Sequence, residues 1–178
     1  MDVLEAMLKR RSVRSYLPKA VPRTLLGKML EAARWAPSGG NVQAWKFIVV
    51  RDSRMVQMLR IVSPGMFGEP PAAIVICSDK KRYLELGSEM EYEYMAVADC
   101  ALATENLVLA AHSLGLATCI VKSFAEAAVS ELLELPKYIR PELIVSIGYA
   151  MNVPQPPPKL ALSEIAYADK FGRPWKDE

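Results

Sequence analysis

"ADCALATENLVLAAHSLGLATCIV", residues 98–121, passes from one kind of structure to another across a single glycine. Its first part, taken back to about Glu91, is apolar on nearly every helical face, and Gly115 ends it, because glycine enters a left-handed cap at no steric cost. The run after the glycine, LATCIV (116–121), is short and β-branched and reads as a strand. A helix that is apolar all round must be surrounded, either in the middle of a large domain or at a subunit interface. The other elements have to be arranged about it.

On its C-terminal side a helix is expected from about Ala125 to Leu133, then ELIVSIGYA (142–150) as a strand. On its N-terminal side, residues 80–94 are rich in tyrosine and charge, which predicts a short surface helix or lid. AAIVIC (72–77) and WKFIVV (45–50) have the composition of buried strands. Between them DSRMVQMLRIV returns to helix with Asp52 or Ser53 as cap, and Ser63–Pro71, with three prolines and two glycines, is a loop. Pro22 to Trp35 reads as a helix stopped by Pro37, and the spacing of Val3, Leu4, Met7 and Leu8 marks a first helix that ends at a cluster of arginines. The class is α+β: a mixed central sheet with helices on both faces, in one domain over residues 1–178. Within it, residues 1–153 are the core and 154–178 a tail. The tail opens in the stiff proline run MNVPQPPPK (151–159), and residues 159–178 have too little apolar periodicity to fold alone, so the tail is expected to lie extended across another surface, that of a partner subunit.

The totals narrow the function. With 22 Lys+Arg against 20 Asp+Glu the net charge is only +2, far from the basic excess of a general nucleic-acid binder. The arginines of RRSVRSYLP (10–18) are therefore a local feature for a small ligand. Cys77, Cys100 and Cys119 lie far apart in apolar stretches, which is no disulfide framework and no zinc ribbon, and fits a reducing cytoplasm. The start is amphipathic and carries acids, unlike a signal peptide, and no uninterrupted apolar run reaches the roughly 20 residues of a membrane span.

Two stretches can carry chemistry. If residues 10–14 run extended, Arg10, Ser12 and Arg14 share one side, and two guanidiniums with a hydroxyl match a phosphate. The plainer alternative is a solvated helix end whose cations complement the dipole. In PSGGNVQAW (37–45), two glycines let backbone approach a flat ligand, and Asn41 and Gln43 each offer a donor and an acceptor, as the edge of a flavin pyrimidine ring requires. The plainer alternative there is an ordinary helix-to-strand turn. Neither a G-x-G-x-x-G loop nor a P-loop is present, and the single histidine, His112, has no partner base nearby in sequence. Metal catalysis and a Ser-His-Asp triad both lack parts, so no catalytic side chain is named, and an enzyme so poor in acid–base residues would take its chemistry from a cofactor.

Taken together, RRSVRSY, APSGGNVQAWKFIVV, the helix and strand of residues 98–121, LIVSIGYA and DKFGRPW resemble, in order, the FMN-dependent nitroreductase family. The resemblance implies an intertwined homodimer with exchanged tails and two FMN sites, each built from both subunits. It implies that Arg10, Ser12 and Arg14, with Arg11 at the same place, hold the FMN phosphate, ribityl chain and pyrimidine side. Pro37, Ser38, Gly39 and Asn41 would contact the flavin from the other subunit, and Arg173 would close on the phosphate. Arg14 is the candidate for a positive charge near flavin N1 and O2. A backbone N–H at Val121, Lys122 or Ser123 would reach flavin N5. The implied activity is reduction of a nitroaromatic, quinone or similar acceptor by NADH or NADPH, in ping-pong fashion. The alternatives are a flavin-storing protein, or a variant performing dehalogenation or flavin cleavage. The sequence departs from the family pattern at Gly39, where a second serine is common, at Ala44, where proline often stands, and at CIVKSF (119–124), where a glycine is usual.

Overall fold

The β-branched runs form strands β1 (Trp45–Val50), β2 (Ala72–Asp79), β3 (Ala117–Val121) and β4 (Ile139–Gly148) in a computed structural model that describes residues 2–86 and 89–175. Their order in the sheet is β1-β2-β4-β3, and all three ladders are antiparallel. This corrects the expectation of a mixed sheet. Among the described residues, the one parallel contact is an isolated bridge between Ser12 and Thr118. The excursion between β1 and β2 leaves and returns at the same end of the sheet, with Val50 facing Ala73.

All eight residues of β2 are buried, as are residues 141–148 of β4. Strands buried on both faces require cover on both. On one face Ile74, Ile76, Val145 and Ile147 meet α2 (Arg23–Arg34) and α5 (Glu89–Ser113), through Leu26, Met29 and Ala33 of the first and Cys100, Ala103, Leu107, Val108 and Ala111 of the second. On the other face Ala73, Val75, Cys77 and Ile144 meet α3 (Ser53–Ile61) and α6 (Glu126–Leu132) through Val56, Leu59 and Val129. Each large aliphatic side chain so buried stabilises the fold by about 1.5–3 kcal/mol. Asp52 is the cap of α3, its carboxylate accepting the Met55 N–H at 2.9 Å. Gly115 takes φ +75° after α5, as a terminating glycine should.

Within this one chain α5 is covered on one side only, because Tyr94, Met95, Val97 and Leu102 stay exposed. The helix is long and apolar enough by length and composition to cross a membrane, yet its buried face belongs to the main core. Its polar residues are anchored: the Asn106 side-chain amide donates to the Ala32 carbonyl at 3.2 Å. The stretch expected to be a surface helix is α4 (Lys80–Leu86) and the beginning of α5. Residues 87–88 of it, and the side chains of 86–91, lie outside those described. The tail is exposed from 151 to 165, but it is not wholly extended. It contains one helical turn, α7 (Leu162–Ile165), where the Glu164 carboxylate accepts the Ala161 N–H, and a bridge joins Tyr167 to Pro174. A local hydrogen bond supplies there what apolar periodicity did not.

The first helix, α1 (Val3–Lys9), ends at Arg10, whose ψ of 137° turns the chain out of the helix. The emerging segment is fastened to the sheet edge. Val13 N–H donates to the Thr118 carbonyl at 2.9 Å, and the buried Tyr16 hydroxyl bonds Ser146 Oγ and the Val13 carbonyl, each at 2.7 Å. Loop 63–71 buttresses it from outside through Gly68, at φ +72°, where an added Cβ would collide with the Arg14 carbonyl oxygen. Gly68→Ala therefore combines a left-handed backbone with a collision, and is expected to destabilise the protein by at least about 2 kcal/mol in chemical denaturation.

Candidate functional site

Because Val13 points into the core, its neighbours point out. Arg10, Arg11, Ser12 and Arg14 line one cleft of about 530 Å³, whose far wall is Pro154 to Pro157 and Lys159. Arg10 Nε is buried without a hydrogen bond, its nearest charge being Glu105 Oε1 at 3.6 Å. Arg11 spends its guanidinium on the Leu8 and Arg10 carbonyls, both at 2.7 Å, which closes the end of α1. Arg14 stands 6.0 Å over the ring of Phe67 and has no carboxylate partner among the described residues. The cleft thus presents cationic donors with little internal neutralisation, the arrangement that suits a phosphate. Beneath it lies Cys119, whose thiol is pushed up by burial and drawn back by Arg14 and Arg10.

A second element is the turn at Gly39–Asn41, a single turn of 3₁₀ helix after Ser38. Gly40, Asn41 and Gln43 all have positive φ, between 53° and 56°. Ser38 Oγ accepts the Gln43 N–H at 3.0 Å, and the Gln43 amide folds back on the Asn41 carbonyl at 3.2 Å. Both Asn41 and Gln43 are exposed. The Gly39 N–H donates to Asp99 of α5 at 3.1 Å, and Asp99 in turn accepts from the Tyr83 hydroxyl of α4.

The remaining expected residues lie elsewhere in this chain. Val121 is buried at the end of β3, and the Lys122 ammonium turns to the Glu142 carbonyl at 2.9 Å. Glu142, 3% exposed, also takes hydrogen bonds from Arg140 Nε and Ser78 Oγ, both 2.7 Å. Arg173 sits in the tail turn with its backbone bonded to Lys170 and Ala168. Neither Arg173 nor Pro37, Ser38, Gly39 and Asn41 line the arginine cleft. Sequence reasoning missed Lys159 at the cleft and Phe67 under Arg14. It also passed over Asp99 as a site residue, although an acid within a largely apolar helix is a signal.

The chain matches the Nitroreductase family model over residues 7–88 and 57–149. It is 34% identical over 160 residues to a Methanothermobacter thermautotrophicus protein provisionally named NADH dehydrogenase/NAD(P)H nitroreductase, covering 86% of this chain and 80% of that one. It is 25% identical to the FMN reductase [NAD(P)H] of Bacillus subtilis over 185 residues, 96% of this chain and 74% of that one. Its fold superposes on a crystal structure of a nitroreductase family protein from Clostridium difficile with a TM-score of 0.84 and 29% identity, covering 96% and 99% of the two chains. The five motifs in register, the four-stranded sheet with helices on both faces, and these likenesses agree: the chain belongs to the nitroreductase family.

Proposed function

We propose that this protein is an FMN-dependent oxidoreductase that draws on NADH or NADPH and reduces a nitroaromatic, quinone or similar acceptor in two alternating half-reactions. The observation that carries this reading is the arginine cleft. Arg10 Nε has no hydrogen-bond partner and Arg14 no carboxylate partner among the described residues, so a phosphate monoester fits the donors present. The names of relatives agree with it, one being an FMN reductase that uses NAD(P)H. When bound, FMN supplies the two-electron chemistry.

The residues supply the rest. Arg10, Ser12 and Arg14 bind and orient, with Arg11 rigidifying the end of α1 beside them. The Arg14 charge favours negative charge at N1 and O2 of the ring. Pro37, Ser38, Gly39 and Asn41 would hold the ring from the partner subunit, Arg173 would hold the phosphate, and the strand end at Val121–Lys122 would offer the ring a backbone N–H. The dimer is supported by uncovered apolar side chains on two elements that flank the cleft and the turn: Val3, Leu4, Met7 and Leu8 of α1, and Tyr94 and Leu102 of α5. No side chain of the site is required to hold a proton. His112 Nε2 lies buried without a partner, and burial, then Arg10, Arg11 and Lys9, hold its pKa below the usual histidine range.

Anaerobic titration of purified protein with FMN and then NADH or NADPH tests the reading. Flavin absorbance that bleaches on adding the nicotinamide and returns with a nitroaromatic or quinone supports it, whereas bound flavin that never bleaches would leave a storage protein. Arg10→Ala and Arg14→Ala are each expected to weaken FMN binding roughly tenfold to a hundredfold in a fluorescence titration, the worth of a charge-assisted hydrogen bond. For His112 the sign is set by its lowered pKa. As pH falls below about 6.5 the unfolded chain takes up the proton first, so wild-type stability declines through that window. His112→Asn should retain most turnover and lose this part of the pH dependence, as thermal melts between about pH 7.5 and 5 would show.

A further inference from the structure

Three features of residues 38–43 are separate facts until Asp99 is considered. The first is strain: Asn41 and Gln43 occupy the left-handed region, which only a glycine such as Gly40 enters freely. Such backbone persists only where the surroundings over-determine it. The second is where the turn is tied. Its bonds from Asn41 to Ser38, Val42 to Gly39 and Gln43 to Ser38 are internal, and hold its shape without holding its place. Among the described residues its hydrogen bonds to the helices are Gly39 N–H to Asp99 and Arg82 Nε to the Val42 carbonyl, each at 3.1 Å. The third is that both ties lead to α4. Arg82 belongs to it directly, and Asp99 reaches it through the Tyr83 hydroxyl.

Asp99 is 2% exposed and forms no ion pair among the described residues. A buried carboxylate is costly unless donors satisfy it, and here each oxygen has one: the Gly39 amide on the first, the Tyr83 hydroxyl on the second. Val42, Ala44, Tyr83, Tyr92 and Ala96 close a small apolar cluster beside it, which keeps water from competing.

We propose that Asp99 is a positioning residue for the cofactor: it locks the Ser38–Asn41 turn to α4, so that helix side chains remote from the cofactor set how the turn meets the flavin ring. The role rests on the flavin reading above. Its signature is that Tyr83, bonded to Asp99 and stacked edge-on with Tyr92, influences the flavin through that carboxylate.

The test uses the full chain with FMN as probe, in wild type, Asp99→Ala, Asp99→Asn, Tyr83→Phe and the Asp99→Asn/Tyr83→Phe double variant. FMN affinity comes from fluorescence titration, the flavin midpoint potential from reductive titration, and fold integrity from thermal melts. Asp99→Ala is expected to weaken FMN about tenfold or more. Asp99→Asn keeps an acceptor for Gly39 and should recover part of that loss. Tyr83→Phe should shift both affinity and potential in the same direction as Asp99→Asn, and the double variant should fall short of the sum of the two. If Asp99→Ala does not fold, the Asn and Phe variants decide. Wild type that binds FMN while Asp99→Asn and Tyr83→Phe keep its affinity within twofold and its potential unchanged, whatever their melting temperatures, overturns the proposal and leaves the flavin reading intact. Wild type that takes up no FMN removes both.

Discussion

The β2–β4 ladder is buried on both faces, and most of the architecture depends on that. Ile74 and Ile76 on one side, Val75 and Cys77 on the other, demand apolar cover in both directions. The period of two in a strand makes this a matter of parity, since a one-residue slip would exchange the faces. α2 and α5 answer on one side, α3 and α6 on the other. The antiparallel ladders then gather the polar turns at the strand ends, and the parts of the candidate site lie at those ends.

The N-terminal segment shows how a core interaction aims charged groups. Val13 is 3% exposed and bonded to Thr118, and Tyr16 is anchored on Ser146. With those two fixed, alternation leaves Ser12 and Arg14 facing solvent across the cleft. Arg14 then needs no acidic partner to be held there, because its backbone is held instead, whereas Arg10 lies 3.6 Å from Glu105. That is why the cleft keeps most of its positive charge available. Gly68 makes the same point from the other side, since only the absence of a side chain lets the loop press on the Arg14 carbonyl.

Buried polar groups divide by what they satisfy. Glu142 collects Arg140, Ser78 and Lys122, and such a closed group specifies one arrangement of the β2, β3 and β4 ends. Asp99 has neutral donors only, one from a turn and one from a helix, so its bonds add a directed link between elements that also share the apolar cluster of Val42 and Tyr83. Apolar side chains on α1, α5 and the tail stay uncovered.

Strand and helix positions were readable from residue type because propensity and burial agree locally. WKFIVV coincides with β1 residue for residue, and the helix from Pro22 to Trp35 is α2 with its two caps. The motif likenesses placed the chain in its family, since they are runs of residues whose order survives without coordinates. The strand direction was not readable, because antiparallel pairing depends on where the excursion between β1 and β2 returns, a property of loop 63–71 and not of either strand. Asp99 escaped for a related reason: Gly39 and Tyr83 lie 60 and 16 residues away along the chain. Sequence shows which groups carry charge or lack a side chain. Which of them meet is decided by tertiary packing, because hydrogen bonds act over about 3 Å whatever the distance along the backbone.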